Sequence, residues 1–305
     1  MKQTTVIQID PSQDKRWDAL VMRHPDGLIY HHSLWKEVIE KTYGYDAKYF
    51  AVIDAAGEMK AGLPFFYFKR PLGGSRLISL PLSDFCNPLF SEKADLQQLC
   101  AALFAESRRC NAGYLELRTT NTDCSAALSQ LAKKELYANH LLELQPDPSR
   151  VLATFTPDIR RAIRKAQKQG LRAVAGQNEA DLKTFYRLYV SLRKRHGLLP
   201  QPYAFFANIR ELLEPSGAMF VTLVYNGEVA VASTLNLLFK NRLYLLYAGS
   251  DADAFQSKSQ GRDHLITWTD IVTGIERGAE LCDFGRTAIG HTGLMRFKKK
   301  WGTSS

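Results

Sequence analysis

The stretch CDFGRTAIGHTGLMRFKKKWG, from Cys282 to Gly302, combines residue types that could bind an anion or a metal-bound nucleotide. Asp283, Phe284 and Gly285 form the triplet that carries a magnesium ligand in protein kinases. About a dozen residues later, a run of three lysines lies between Phe297 and Trp301. The segment could therefore belong to a kinase, clamp a nucleic acid, or serve another chemistry that needs fixed positive charge.

The kinase interpretation fails on the rest of the chain. Asp263 precedes the triplet at a suitable distance, but the asparagine that a catalytic loop needs five residues later is replaced by Trp268. The sequence has no glycine-rich G-x-G-x-x-G loop and no Val-Ala-Ile-Lys strand. Nucleophile elbows, H-E-x-x-H motifs and Walker loops are also missing, so these common catalytic motifs are excluded.

Composition and charge point to a globular protein with an anionic partner. The 305 residues are 45% hydrophobic and 23% charged, and their length suits about two domains. A net charge of +9 favours a phosphorylated ligand, RNA or an anionic lipid headgroup. The five cysteines form no C-x-x-C pair, which indicates a reducing cytoplasm and no zinc site. The sequence also predicts no signal peptide and no membrane span.

Two stretches repeat the same pattern of strands and turns. Residues 50–84 and 220–251 each read as a strand, a Gly-Glu turn, a longer strand, a basic loop and a strand that opens with Arg-Leu. Each repeat is followed by an amphipathic helix, at 94–110 and 262–277, with Gly278 as the C-terminal cap of the second. The pattern predicts two similar α/β domains in tandem, at residues 1–148 and 149–305, with Pro146 and Pro148 marking the linker between them.

A basic helix is predicted at the start of the second domain, over residues 157–170. Thr156 is a suitable N-cap, and Pro157 suits the first helical position. Five cations follow on this helix, the last of them Lys168, and the first four are candidate contacts for an anionic substrate: Arg160, Arg161, Arg164 and Lys165. A solvated surface face is an equally good interpretation of the same charges.

With these features together, the chain resembles the FemAB-like acyl- and peptidyltransferases of the GNAT superfamily. The resemblance extends over nearly the whole chain and includes the stretches IYHHSLWKEVIEKTYGY, DIRRAIRKAQKQG and FYRLYVSLRKRHGLLP. Its most specific part is the D-F-G-R … F-K-x-x-W-G ending. The similarity is greatest to the subgroup associated with exopolysaccharide and PEP-CTERM sorting systems. It implies an α/β (α+β) fold of two GNAT-like domains, each with a mixed, mainly antiparallel sheet flanked by helices.

The resemblance also implies a chemistry, the transfer of an acyl or aminoacyl group to an amine. Such enzymes need no metal and form no covalent enzyme intermediate, because positioning and oxyanion stabilisation suffice. By the motif, Lys298 would be a fixed cation near the reacting carbonyl and Arg286 an anion contact, with Asp283 orienting either cation. Trp301 would hold the segment in place and is a candidate substrate contact.

The resemblance leaves the donor open between acyl-CoA and aminoacyl-tRNA. Gln256 and Gly261 occupy the place of the CoA pyrophosphate motif, which here lacks its first glycine. The acceptor would be a cell-wall, lipid- or glycan-linked precursor. Tyr247 and Asp84, at corresponding strand ends of the two repeats, are further candidate substrate contacts, although turn residues are equally common there.

A rival hypothesis needs no catalysis. A binding protein could hold RNA or another polyanion on the basic residues at the join of the two domains. In either case we expect a cytoplasmic protein, and a lipid-linked acceptor would add peripheral contact at the inner membrane face.

Overall fold

The computed structural model describes residues 4–69, 74–120, 124, 126–176, 178–251 and 261–304. The chain divides into two compact units, Met1–Lys134 and Glu135–Ser305. No helix in the described ranges is long and apolar enough to cross a membrane.

Unit 1 is built on a five-stranded sheet in the order β1-β2-β3-β4-β5. All neighbouring strands are antiparallel except β4 and β5, which are parallel. Its elements are β1 (Thr4–Ile9), α1 (Lys15–Arg23), α2 (Ser33–Tyr43), β2 (Asp46–Asp54), β3 (Met59–Phe68), β4 (Ser75–Ile78), α3 (Lys93–Arg109) and β5 (Ala112–Glu116).

Unit 2 is built on a six-stranded sheet in the order β6-β11-β10-β9-β8-β7. Here the parallel neighbours are β10 and β11. Its elements are β6 (Tyr137–Glu143), α4 (Pro148–Thr154), α5 (Pro157–Lys168), β7 (Leu171–Gly176), α6 (Glu179–Arg195), α7 (Tyr203–Leu213), β8 (Met219–Asn226), β9 (Val229–Phe239), β10 (Arg242–Ser250), α8 (Arg262–Glu276), β11 (Leu281–Ala288) and α9 (Thr292–Lys299).

The predicted repeat is present in both sheets. In unit 1, β2, β3 and β4 form an antiparallel meander followed by α3 and the parallel strand β5. In unit 2, β8, β9 and β10 form the same meander, followed by α8 and the parallel strand β11. The two Gly-Glu turns use left-handed glycines, Gly57 at φ 82° and Gly227 at φ 58°, a conformation that only glycine adopts without steric cost.

The boundary between the units lies earlier than the one predicted from the prolines. It falls between Lys134 and Glu135, whereas the prediction placed it after residue 148. The difference arises because β6 pairs antiparallel with β11 and so completes the second sheet. A strand that pairs with a segment about 140 residues away in sequence gives no local signal of its domain, whereas prolines mark only breaks in regular structure.

Helix α5 begins at the residue and buries the face expected from its sequence, but it ends at Lys168, two residues before the predicted end. Its apolar side, with Ile159, Ile163 and Ala166, is buried in the core of unit 2. Thr156 holds the N-cap position, but its hydroxyl makes no capping hydrogen bond. Proline at the first helical position has no N–H that needs a cap, which suits this start of the helix.

Candidate active site in unit 2

The two parallel strands of unit 2 separate part-way along their length. The ladder between β10 and β11 joins Arg242 to Leu281 and ends where Tyr244 lies opposite Asp283. Strand β10 continues to Ser250 and β11 to Ala288. Each strand has a register irregularity beside this point, between Leu245 and Tyr247 in β10 and between Asp283 and Arg286 in β11. Bulges of this kind redirect side chains and backbone groups, and they are common next to active sites.

The bulge in β11 is formed by the D-F-G-R motif. A carboxylate oxygen of Asp283 accepts a hydrogen bond from the Gly285 N–H at 2.8 Å. Gly285 is left-handed at φ 71°, as a residue with a side chain rarely is. The buried Asp283 also forms an ion pair with Arg242 across the β10–β11 ladder at 3.6 Å. The motif is therefore a structural bulge, and Asp283 fixes its shape.

Lys298 reaches this bulge from helix α9. Its Nζ donates to the carbonyl of Gly285 at 2.8 Å and to that of Arg286 at 3.2 Å. The side chain is only 7% exposed. The bulge carbonyls thus hold one ammonium group at a defined position beside the separation of β10 and β11. A buried, prepositioned cation can stabilise negative charge more strongly than a mobile surface lysine, since less water screens it.

Trp301 lies in the core, contrary to its assignment as a candidate substrate contact. It is 0% exposed, and its ring packs against Phe155 at a centroid distance of 5.0 Å and Phe284 at 5.9 Å. Phe297 is 6.2 Å away. A side chain without exposed surface cannot touch a substrate in this conformation. Its role is to fix α9, and with it Lys298, against β11.

Arg286 and Tyr247 occupy the two sides of the separation between the strands. The guanidinium of Arg286, at the bulge of β11, lies 4.5 Å from the centre of the Tyr137 ring. Tyr247, at the bulge of β10, is partly exposed and packs edge-to-face on Phe206 at 5.2 Å. Both side chains belong to unit 2.

The other predicted site residues are placed elsewhere or lie outside the described residues. Asp84 is a partly buried loop residue of unit 1. Gln256 falls outside the described residues.

On α5, Arg160 is partly buried, while Arg161, Arg164 and Lys165 are exposed. Asp158 accepts hydrogen bonds from Arg161 at 2.6 Å and from Lys300 at 3.2 Å, so the start of α5 adjoins the end of α9.

Gly261 has a packing role that the sequence did not reveal. It has φ 101°, and a Cβ at this position would lie 2.5 Å from the backbone oxygen of Ala162 on α5. Helix α5 therefore approaches the start of α8 too closely for any side chain there. This close contact explains why residue 261 is a glycine, and no phosphate ligand is needed to explain it.

A substitution tests the packing role of Gly261. We expect Gly261→Ala to reduce the free energy of unfolding by about 1–3 kcal/mol, because the new methyl group must displace α5. Gly278→Ala is the matched control, since Gly278 is also left-handed, at φ 86°, but a Cβ added there would have no atom within 4 Å. Denaturant unfolding of both variants makes the comparison. Equal losses would show that backbone strain alone, and not the contact with α5, determines the effect.

Sequence reasoning missed a buried polar cluster under α8. Asp270 is 1% exposed, and its carboxylate accepts hydrogen bonds from Thr234 at 3.0 and 2.9 Å and from Asn236 at 2.8 Å. Burial raises the pKa of Asp270 to about 7, while the donors from Thr234 and Asn236 act in the opposite direction. A signal was available, since Thr234 and Asn236 lie two residues apart in an apolar strand and so share one face.

Helix α9 also borders a recess of about 480 Å³ on the surface of unit 2. Its lining is apolar at Ile289 and Met295 and cationic at Arg296, Lys299 and Lys300. Among the described residues, no cluster of three or more His, Cys, Asp or Glu side chains could hold a metal ion.

Comparison with known proteins shows what this unit resembles. Residues 154–299 match the family described as an acetyltransferase (GNAT) domain. Unit 2 is similar to a GNAT domain over most of its length. We call the space where β10 and β11 separate the cleft, and the bulge that binds Lys298 lies beside it.

The likeness extends beyond this domain. The chain is 19% identical over 150 residues to a UDP-N-acetylmuramoylpentapeptide-lysine N(6)-alanyltransferase of Weissella viridescens, a match over 48% of this chain and 43% of that protein. The chain thus spans less than half the length of this relative. The crystal structure of FemX has a TM-score of 0.74 at 18% identity, covering 98% of this chain and 94% of the other. A tandem GNAT protein from the clavulanic acid biosynthesis pathway has a TM-score of 0.58 at 9% identity, with 99% and 95% covered. The predicted fold of two tandem GNAT-like domains is confirmed.

Proposed function

We propose that the chain is an acyl- or aminoacyltransferase that forms an amide bond on an amine of a cell-wall, lipid- or glycan-linked acceptor. The observation that carries the proposal is the fixed ammonium of Lys298 at the cleft of a GNAT-like domain, held by two bulge carbonyls. The matched alanyltransferase supports the reaction type, because that protein attaches alanine to the lysine amine of a cell-wall precursor.

The proposed reaction is a direct transfer. The acceptor amine attacks the ester or thioester carbonyl of the donor, and a tetrahedral oxyanion forms. The positive charge of Lys298 stabilises this oxyanion, and the C–O or C–S bond then breaks to release the carrier as a hydroxyl or thiol. The proton of the amine leaves with the departing group or to solvent. No covalent enzyme intermediate is needed, since orientation of the two reactants supplies much of the rate.

The surrounding residues have supporting roles in this proposal. Asp283 is a positioning residue, because it shapes the bulge whose carbonyls bind Lys298. Arg286 and Tyr247 are proposed to contact the reactants from the two strands that border the cleft. Asp84 is retained as a proposed acceptor contact of unit 1.

The donor is proposed to carry phosphate, as both aminoacyl-tRNA and acyl-CoA do. The exposed cations Arg161, Arg164 and Lys165 of α5 suit such a carrier. Gly261 was a main reason to expect a CoA-type phosphate contact, but packing against α5 already explains this glycine. Aminoacyl-tRNA is therefore the donor that we would test first.

Product analysis tests the proposal. The purified chain is incubated with either aminoacyl-tRNA or acetyl-CoA, and with either a soluble peptidoglycan precursor or an amine-bearing lipid. Mass spectrometry of the acceptor should show the mass of one added acyl or aminoacyl group with one of the donors. RNA binding without any product from these combinations would instead favour a non-catalytic polyanion-binding protein, the alternative that the exposed cations of α5 support.

A further inference from the structure

One edge of unit 2 exposes two large aliphatic side chains that lie opposite one another. Leu136 and Ile289 are each more than half exposed, at 56% and 51%. The Ile289 N–H donates to the Leu136 carbonyl at 3.0 Å, at the end of the β6–β11 ladder. Single exposed apolar residues are ordinary, but a contiguous group at a surface indicates an interaction site.

The recess beside α9 continues this apolar surface. Ile289 belongs both to the exposed group and to the lining of the recess, where Met295 joins it. Thr156 also lines the recess, and its buried Oγ1 makes no hydrogen bond within the described part of the chain. The recess therefore has an apolar wall and one polar atom, the Thr156 Oγ1, that could bind a ligand.

Cations border the same surface. Arg296 and Lys299 are exposed and line the recess together with Lys300. Lys300 and Arg161 share Asp158 as an acceptor, which connects the cations of α9 to those of α5. An apolar surface with a cationic border is the arrangement that binds the interface of an anionic bilayer, where aliphatic groups enter the acyl region and cations meet the headgroups.

We propose that this surface, the α9 patch (Leu136, Ile289, Met295, Arg296 and Lys299), docks unit 2 on an anionic lipid bilayer. The aliphatic side chains distinguish this partner from RNA, whose phosphates would use the cations but leave Leu136 and Ile289 exposed to water. The inference concerns a surface next to α9 and does not depend on the proposed transfer reaction.

Vesicle binding tests this proposal. The full chain is mixed with vesicles of phosphatidylcholine alone or with roughly a third phosphatidylglycerol, and bound protein is measured by flotation. We expect binding to the anionic vesicles that weakens as salt is raised. Arg296→Ala with Lys299→Ala should reduce the partition coefficient about 25-fold, since each cation contributes about a factor of five at such a surface.

Two further variants separate charge from apolar contact. Leu136→Ser with Ile289→Ser should reduce binding while leaving its salt dependence unchanged, because the cations remain. Lys93→Ala with Arg108→Ala removes the same charge from exposed positions on α3 of unit 1 and should bind as the wild type does. Thermal unfolding of every variant confirms that it is folded.

Four results would overturn the proposal. The wild type could fail to float with anionic vesicles, or the two patch variants could bind as tightly as the wild type. The α3 variant could lose as much binding as the Arg296→Ala, Lys299→Ala variant. Finally, a single-stranded RNA could lose affinity for the Arg296→Ala, Lys299→Ala variant while vesicles do not. The vesicle assay contains no donor or acceptor, so failure here and failure of the proposed transfer are distinguishable.

Discussion

Lys298→Met is expected to lower kcat for acyl transfer by about 100- to 1,000-fold with the fold retained. Removal of one preorganised donor to an oxyanion has an effect of this size in other acyl-transfer enzymes. The Nζ of Lys298 is well placed for the role, because the Gly285 and Arg286 carbonyls hold it at 2.8 and 3.2 Å beside the cleft. Methionine keeps most of the length of the side chain and removes the charge. Steady-state kinetics with the donor and acceptor identified by product analysis provides the measurement.

The control for this prediction is Lys183→Met. Lys183 is an exposed lysine of α6 that pairs with Glu179, and its loss should leave kcat near the wild-type value. Lys298→Met also removes the two hydrogen bonds that the charged ammonium group donates. The loss of each such bond costs about 1.5–3 kcal/mol of stability in typical proteins. Thermal unfolding must therefore show that the variant is folded at the assay temperature. A folded Lys298→Met protein with wild-type kcat would contradict the proposed role.

Asp270→Asn is expected to change how the stability of the protein depends on pH. Burial raises the pKa of Asp270 to about 7, from an ordinary value of 3.8, so the folded state keeps a proton that the unfolded state releases. The stabilisation that this proton provides is fully present below about pH 4 and is lost as the pH rises to about 7. The loss is up to about 4 kcal/mol across this window. Asparagine carries no titrating proton, so the variant should lack this part of the pH dependence.

Denaturant unfolding between about pH 4 and pH 8 measures the effect. Asp263→Asn provides the control, because Asp263 lies on the same helix but its side chain is 68% exposed. As the pH rises, the free energy of unfolding should fall by the same amount in the wild type and in this control. It should fall less in Asp270→Asn. Parallel curves for all three proteins would show that Asp270 is ionised in the folded state throughout.

Local patterns in the sequence predicted much of the fold. The helix over Pro157–Lys168, its buried face and the left-handed Gly278 after α8 all follow from residues within a few positions of each other. The two meanders were visible because their turns need glycine and their strands are apolar. The GNAT class was also predicted, because the D-F-G-R … F-K-x-x-W-G ending resembles a family motif.

The partners of the site residues were not predictable in the same way. Asp283 contacts Arg242, 41 residues earlier, and Lys298 binds backbone carbonyls that no sequence pattern marks. Trp301 is a core residue because Phe155, on the loop before α5, packs on its ring. Each of these contacts depends on the register of strands distant in sequence, which side-chain types alone do not set.

Several hypotheses drawn from the sequence stay predictions. They include the identity of the donor, the PEP-CTERM and exopolysaccharide association, and the cytoplasmic location. The substrate contacts proposed for Arg286, Tyr247 and Asp84 also await functional tests.

Amide hydrogen exchange most directly tests whether the cleft between β10 and β11 holds the donor. Exchange is measured without ligand, with saturating acetyl-CoA, and with an RNA oligonucleotide that carries alanine through a stable 3′-amide. One of the two ligands should slow exchange in Leu245–Ser250 and Phe284–Ala288, the segments that border the cleft. Protection by a saturating ligand at other segments, with none at these two, would contradict the proposed site.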